Sequence, residues 1–211
     1  MPVMRSTRSH RATLFSLRGG AGLVVIATLG AFLLTAAPKA QGVVLDVGDR
    51  APTFVGTADS GRAWRSRDHV GRRFLVVYFY PAAMTGGCTA QACAYRDNRS
   101  RLQELGAEVV GVSGDRVEGL RVFKRSNRLN FPLLSDTEGR IARAFGVPLG
   151  EGARMRRTVG GEEVELRRDV TAARWTFIIG RDGRIVYKDT AVDPAGDGGE
   201  VIAALRRLQR G

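Results

Sequence analysis

Along this chain, continuous apolar runs alternate with segments whose apolar residues recur every three or four positions. RRFLVVYFYP, residues 72–81, has an unbroken apolar centre rich in β-branched and aromatic side chains. Such a run predicts a strand buried on both faces, and Pro81 ends it. CTAQACAYRDNRSRLQELG, residues 88–106, predicts a helix stopped by Gly106. AEVVGVSGD, residues 107–115, predicts a second buried strand. Asp115 then stands where a helix through Asn127 would begin, with Glu118 three residues on as its capping-box partner. NFPLLSD, residues 130–136, predicts a short strand, and TEGRIARAF, residues 137–145, a short helix. WTFIIGRDGRIVYKD, residues 175–189, predicts two strands around Arg181-Asp182-Gly183. GEVIAALRRLQR, residues 199–210, is amphipathic, with Val201, Ile202, Leu205 and Leu208 on one face. This order implies an α/β sandwich, with parallel strands first and an antiparallel hairpin later. Residues 150–172 are polar and patterned as a hairpin around Gly160-Gly161. They are expected to form a surface excursion without chemistry of its own.

The first 42 residues do not fit that pattern. Residues 1–20 carry Arg5, Arg8, Arg11 and Arg18 and no acidic residue, and Ala21 to Ala37 carries no charge at all. A basic start, an apolar run and small residues after it are the parts of a secretory signal. The apolar run of 17 residues is also at the short edge of a membrane-spanning helix. Residues 1–42 therefore read as a signal peptide or an N-terminal membrane anchor, and residues 43–211 as one domain. The expected location is outside the cytoplasm, periplasmic or extracytoplasmic, with membrane contact only through residues 21–37. Neither cysteine lies in the leader, and no Arg-Arg pair precedes the apolar run, so lipidation and the twin-arginine route are unsupported.

Charge narrows the partners. The formal net charge is +12, but residues 1–40 hold five of the 33 basic residues and none of the 21 acidic ones. In the remainder, arginines sit among acids, as in DRVEGLRVFKR and EEVELRRD. A nucleic-acid surface would need a basic stripe interleaved with aromatics, so no nucleic-acid partner is expected. The histidines are His10, in the leader, and His69, so a Cys/His zinc set cannot be assembled.

The two cysteines, Cys88 and Cys93, are spaced C-x4-C. Cys88 falls where a strand, a Gly86-Gly87 turn and a helix start meet. Unpaired N–H groups and the helix dipole there favour a thiolate. Five residues of intact helix turn through about 140° and separate the Cα atoms by roughly 8–9 Å. A disulfide needs less than about 7 Å. The pair can bridge only if the first turns of the helix unwind. Gly86 and Gly87 before the helix, and Thr89 and Gln91 within it, give it little reason to hold.

PAAMTGGC, residues 81–88, matches the P-x-x-x-T-x-x-C signature of peroxiredoxins. CTAQACAYRD, NFPLLSDTEGRIARAFGV and ARWTFIIGRDGRIV resemble the bacterioferritin-comigratory, or peroxiredoxin Q, subfamily, and the resemblance spans residues 45–210. The chain departs from the pattern at Gly86-Gly87, where Pro-Gly is common, at Gly180, where an acid is common, and in its longer 150–172 segment. The resemblance implies a thioredoxin-like fold with a central mixed sheet flanked by helices. It implies a peroxidase in which Cys88 attacks hydrogen peroxide or an organic hydroperoxide. Thr85 and Arg174 would hold the peroxide, Pro81 would shield the site from water, and Cys93 would condense with the resulting sulfenic acid. A thioredoxin-like dithiol would restore both thiols, in a monomer or weak dimer. No metal, flavin or haem is implied. On position alone, Arg174 reads as one surface arginine among many.

Two alternatives remain. One is an exported thioredoxin-like thiol–disulfide oxidoreductase, although those carry C-x-x-C. The other is a non-enzymatic envelope binding module with a structural disulfide.

Overall fold

The computed structural model describes residues 43–210. The predicted leader, residues 1–42, lies outside the described residues, and among these no helix is long and apolar enough to cross a membrane. The strands are β1 (Val55–Ala58), β2 (Ala63–Arg65), β3 (Phe74–Phe79), β4 (Ala107–Ser113), β5 (Leu133–Ser135), β6 (Leu149–Val159), β7 (Glu162–Ala172), β8 (Trp175–Ile179) and β9 (Ile185–Asp189). The helices are α1 (Gly86–Asp97), α2 (Arg99–Glu104), α3 (Val117–Asn127), α4 (Arg140–Ala144) and α5 (Asp197–Leu208).

Seven strands make one sheet in the order β2-β1-β5-β4-β3-β8-β9. β3, β4 and β5 are parallel, whereas β1 pairs antiparallel with β5, and β8 pairs antiparallel with β3. The mixed sheet flanked by helices is the predicted class. Both faces of β3 are buried, as its continuous apolar run requires, and successive side chains go to opposite sides. Val76 and Tyr78 meet Ala92 and Tyr95 of α1, Leu120 and Phe123 of α3, and Val201 and Leu205 of α5. Leu75, Val77 and Phe79 meet Phe54, Ile141 and Phe145. Gly111 in β4 makes room for this packing, because a Cβ there would lie 2.7 Å from the Tyr78 ring.

The structure corrects four expectations. The single helix over residues 88–106 is two helices broken at Asn98, whose Nδ2 donates to the Ala94 carbonyl at 2.9 Å. An Asn amide competes with the backbone in this way and favours a break. Gly106, in the left-handed region at φ 65°, does end the second helix as predicted. Asp115 does not cap α3: the N-cap is Arg116, without a side-chain cap bond. The buried Asp115 carboxylate turns instead to the loop after β3. β1 and β2 were not foreseen, being four and three residues long with no apolar run. α5 begins at Asp197 rather than Gly199. Val201, Ile202 and Leu205 are buried as predicted, while Leu208 emerges at 37 % exposure.

Residues 150–172 do form a hairpin. β6 and β7 pair from Leu149↔Ala172 to Val159↔Glu162. Gly160 and Gly161 supply the two positive φ angles, 61° and 89°, that a tight two-residue turn demands. The hairpin is tied down: Leu166 is 2 % exposed, and the Arg157 Nε donates to the Met84 carbonyl at 3.3 Å.

Candidate active site

The end of β3 and the start of α1 make the site. β3 leads through Tyr80 and Pro81 into a loop that Asp115 holds from below. Its Oδ2 accepts the Ala83 N–H at 2.8 Å and the Ser113 hydroxyl at 2.8 Å. Burial pushes the Asp115 carboxyl up from its ordinary value, against those two bonds. Met84 follows in the left-handed region at φ 61°, a conformation a non-glycine residue adopts at some cost. Thr85 is extended, at φ −96° and ψ 153°, and is the N-cap of α1. Its hydroxyl donates to the Ala82 carbonyl at 2.9 Å, which leaves the oxygen's lone pairs for a donor.

Cys88 is the third residue of α1 and is 1 % exposed. Its Sγ lies 3.3 Å from Nη2 of Arg174. The sheet register explains the meeting. Phe79, the last residue of β3, pairs with Trp175, the first residue of β8, so Arg174 arrives at the C-terminal end of β3 beside the new helix. A full positive charge and the N-terminal turn of α1 converge on one sulfur. Arg174 Nη2 and Pro194 also come close to Gly87, where a Cβ would meet both in ordinary contact at 3.4 Å. Pro81 is half-buried at the loop's base. Arg174 thus touches Cys88, and Pro81 and Thr85 lie in the segment that leads from β3 into α1. Cys93 is half-buried on the same helix, and both cysteines are thiols. Among the described residues, no group of three or more His, Cys, Asp and Glu side chains is placed to hold a metal ion.

A buried polar chain behind Arg174 was not foreseen. Arg174 Nη1 donates to Gln91 Oε1 at 2.5 Å. Gln91 Nε2 donates to Asp197 Oδ2 at 2.6 Å. The same oxygen accepts the Tyr95 hydroxyl at 2.6 Å and the Thr176 hydroxyl at 2.9 Å. Burial raises the Asp197 carboxyl above its ordinary value, and bonds from Tyr95, Gln91 and Thr176 oppose that rise. Burial, and then the Asp197 charge, push the Tyr95 phenol well above its own. An uncompensated buried carboxylate costs several kcal/mol. Three hydrogen bonds to Oδ2, each contributing about 1.5–3 kcal/mol, offset part of that, while Oδ1 is buried without a hydrogen-bond partner among the described residues. Gln91 is thus one of the best-anchored residues of α1, contrary to its expected weakness. The available signal was its position: Cys88, Gln91, Ala92 and Tyr95 share the buried face of α1 at helical spacing.

The chain is similar to known proteins along most of its length. Residues 47–188 match the AhpC/TSA family. Peroxiredoxin Bcp of Escherichia coli K12 is 41 % identical over 143 residues, which cover 68 % of this chain and 84 % of that protein. A putative peroxiredoxin of Mycobacterium tuberculosis H37Rv is 39 % identical over 163 residues, covering 77 % of this chain and 94 % of that one. Among solved structures, peroxidoxin BcpB of M. tuberculosis superposes with a TM-score of 0.65 at 30 % identity, over 78 % of this chain and 98 % of that one. The bacterioferritin comigratory protein of Xanthomonas campestris, described for its alkyl peroxide reduction activity, gives 0.63 at 28 % identity, over 77 % and 99 %. The chain belongs to the AhpC/TSA family, on its bacterioferritin-comigratory or peroxiredoxin Q branch, and is a thiol-dependent peroxidase.

Proposed function

We propose that the peroxidase reaction of this chain runs through Cys88, with Cys93 as its resolving partner. The observation that carries the reading is the 3.3 Å contact between Arg174 Nη2 and Cys88 Sγ at the start of α1. The Cys88 thiolate attacks the terminal oxygen of a hydroperoxide. A sulfur–oxygen bond forms, the O–O bond breaks, and the electron pair leaves with the distal oxygen as alkoxide or hydroxide, which takes up a proton. Arg174 and the Thr85 hydroxyl bind the peroxide and stabilise the departing charge. Cys88 is left as a sulfenic acid. The Cys93 sulfur then attacks the Cys88 sulfur, water leaves, and a disulfide results. A thioredoxin-type dithiol reduces it by exchange. Organic hydroperoxides fit as substrates beside hydrogen peroxide, as with the Xanthomonas relative. Because both thiols lie on one helix, resolution needs no second chain, which favours a monomer or weak dimer.

One equivalent of peroxide added to reduced protein is expected to give an intramolecular Cys88–Cys93 disulfide by peptide mass spectrometry. Cys88→Ser should give none. Oxidised Cys93 with untouched Cys88 would refute the assignment.

Residues 1–42 we take as an export signal or anchor, supported by the basic start and the uncharged run from Ala21 to Ala37. Cell fractionation is expected to find the protein outside the cytoplasm. Full-length protein in the cytoplasmic fraction would end that reading, and full-length protein in the membrane fraction would select the anchor.

A further inference from the structure

Asp197 stands at the N-terminus of α5 and touches neither cysteine, yet one of its oxygens joins three elements. Oδ2 accepts from Gln91 and Tyr95 of α1 and from Thr176 of β8. Asp197 is itself fixed: it is 2 % exposed, and its N–H donates to the Asp193 carbonyl at 3.0 Å. The approach of α5 to α1 depends on Gly198, whose missing Cβ would lie 3.3 Å from the Ala94 backbone and side chain.

The chemistry of Gln91 makes this arrangement directional. A carboxylate only accepts hydrogen bonds and a guanidinium only donates them. Gln91 can satisfy both neighbours in one orientation alone, with its amide N–H₂ toward Asp197 and its carbonyl toward Arg174. Without Asp197 the amide is free to turn, and turned over it would present donors to donors. Arg174 would lose the acceptor that holds Nη1 while Nη2 reaches the sulfur at 3.3 Å.

The same bonds tie down the helix that must open. Cys88 and Cys93 cannot meet while α1 is intact. Melting its first turns must break the bond from Gln91 to Asp197, and melting that runs two residues past Cys93 also breaks the bond from Tyr95, leaving that oxygen with Thr176 alone.

We propose that Asp197 is a positioning residue with two opposed kinetic effects. It aims Arg174 at the Cys88 sulfur through Gln91, which speeds peroxide attack. It also latches α1 in its folded form through Gln91 and Tyr95, which slows the joining of Cys88 to Cys93. The latch lengthens the life of the sulfenic acid, so it also sets how readily excess peroxide drives Cys88 on to the sulfinic acid. The proposal rests on the reading of Cys88 as the attacking thiolate.

The test separates the two steps by stopped-flow, with Trp175 beside Arg174 as the fluorescent reporter and mass spectrometry of quenched samples to identify each species. Asp197→Ala should slow sulfenic acid formation by about tenfold or more and speed disulfide formation severalfold. Asp197→Asn keeps an acceptor oxygen in place and should restore most of the attack rate. Tyr95→Phe removes one latch bond while leaving the Gln91–Arg174 contact, so resolution alone should quicken. Equal slowing of both steps in Asp197→Ala, as from a loosened fold, would overturn the proposal, as would no change in either. If Asp197→Ala does not fold, Tyr95→Phe decides, and unchanged resolution overturns the latch. A wild-type protein that forms no Cys88 sulfenic acid would instead overturn the Cys88 reading beneath the proposal.

Discussion

At 3.3 Å from the Cys88 sulfur, the Arg174 guanidinium can follow charge from the thiolate to the departing oxygen without moving far. That is differential stabilisation, and removing one such preorganised donor typically costs on the order of 3 kcal/mol, or about 10²-fold in rate. Arg174→Ala is therefore expected to lower the second-order rate constant with peroxide by about that factor, with the circular dichroism spectrum unchanged. An unchanged rate constant would remove Arg174 from the site. Arg174→Lys should recover only part of the loss, because an ammonium cannot serve Gln91 and the sulfur with two separate nitrogens in one plane. The spacing of Pro81, Thr85 and Cys88 is a local signature visible in the sequence, whereas Arg174 reads from position alone as a surface arginine and stands out only through the family resemblance; its contact with Cys88 is made by the fold. Gln91 and Asp197 were not, because they are 106 residues apart and their meaning lies in each other. Asp115 had a local reading as a cap, and the competing bond to Ala83, 32 residues away, won.

α1 is the element whose stability matters most to the chemistry. It is anchored through Gln91 and Tyr95, and it must still open, since two positions five apart on an intact helix cannot form a disulfide. Hydrogen exchange on the reduced protein is expected to show protected amides from about Thr89 to Tyr95, and oxidation by one equivalent of peroxide should abolish that protection locally. β3, β4 and β8 should stay protected in both states. An oxidised form with an intramolecular bridge and a fully protected α1 would contradict this. Cys93→Ser should react once with peroxide and then overoxidise, because the sulfenic acid has no thiol to condense with. Normal turnover of that variant with a dithiol would make Cys93 a packing residue. Elements with long apolar runs, β3, β4 and β8, were readable because burial on both faces leaves no polar alternation to confuse the pattern. β1 and β2 were not, since short edge strands owe their form to pairing with β5 and with each other. The break at Asn98 was also missed, because the surrounding sequence stays helical in character; the Ala94 carbonyl there accepts both the Asn98 N–H and its side-chain amide.

At the scale of the molecule, the sheet order is what assembles the site. The antiparallel pairing of β8 with β3 carries Arg174 across 86 residues of sequence to Cys88. The β6–β7 hairpin, which departs most from the family pattern in length, lies between Cys88 and Arg174 in the chain and packs back onto the Met84 loop without disturbing that register. Its existence was legible from Gly160-Gly161, but its docking was not, because Gly114 accepts the β7 backbone through a contact only the folded chain makes. The central claim is that a Cys88 thiolate held against Arg174 performs the peroxidase reaction. Its most direct test is the second-order rate constant for peroxide consumption by the reduced protein, measured for wild type and Cys88→Ser under one dithiol reductant. Rapid, reductant-dependent consumption is expected of the wild type, and none above the uncatalysed rate of Cys88→Ser. Equal consumption by the two proteins would contradict the central claim.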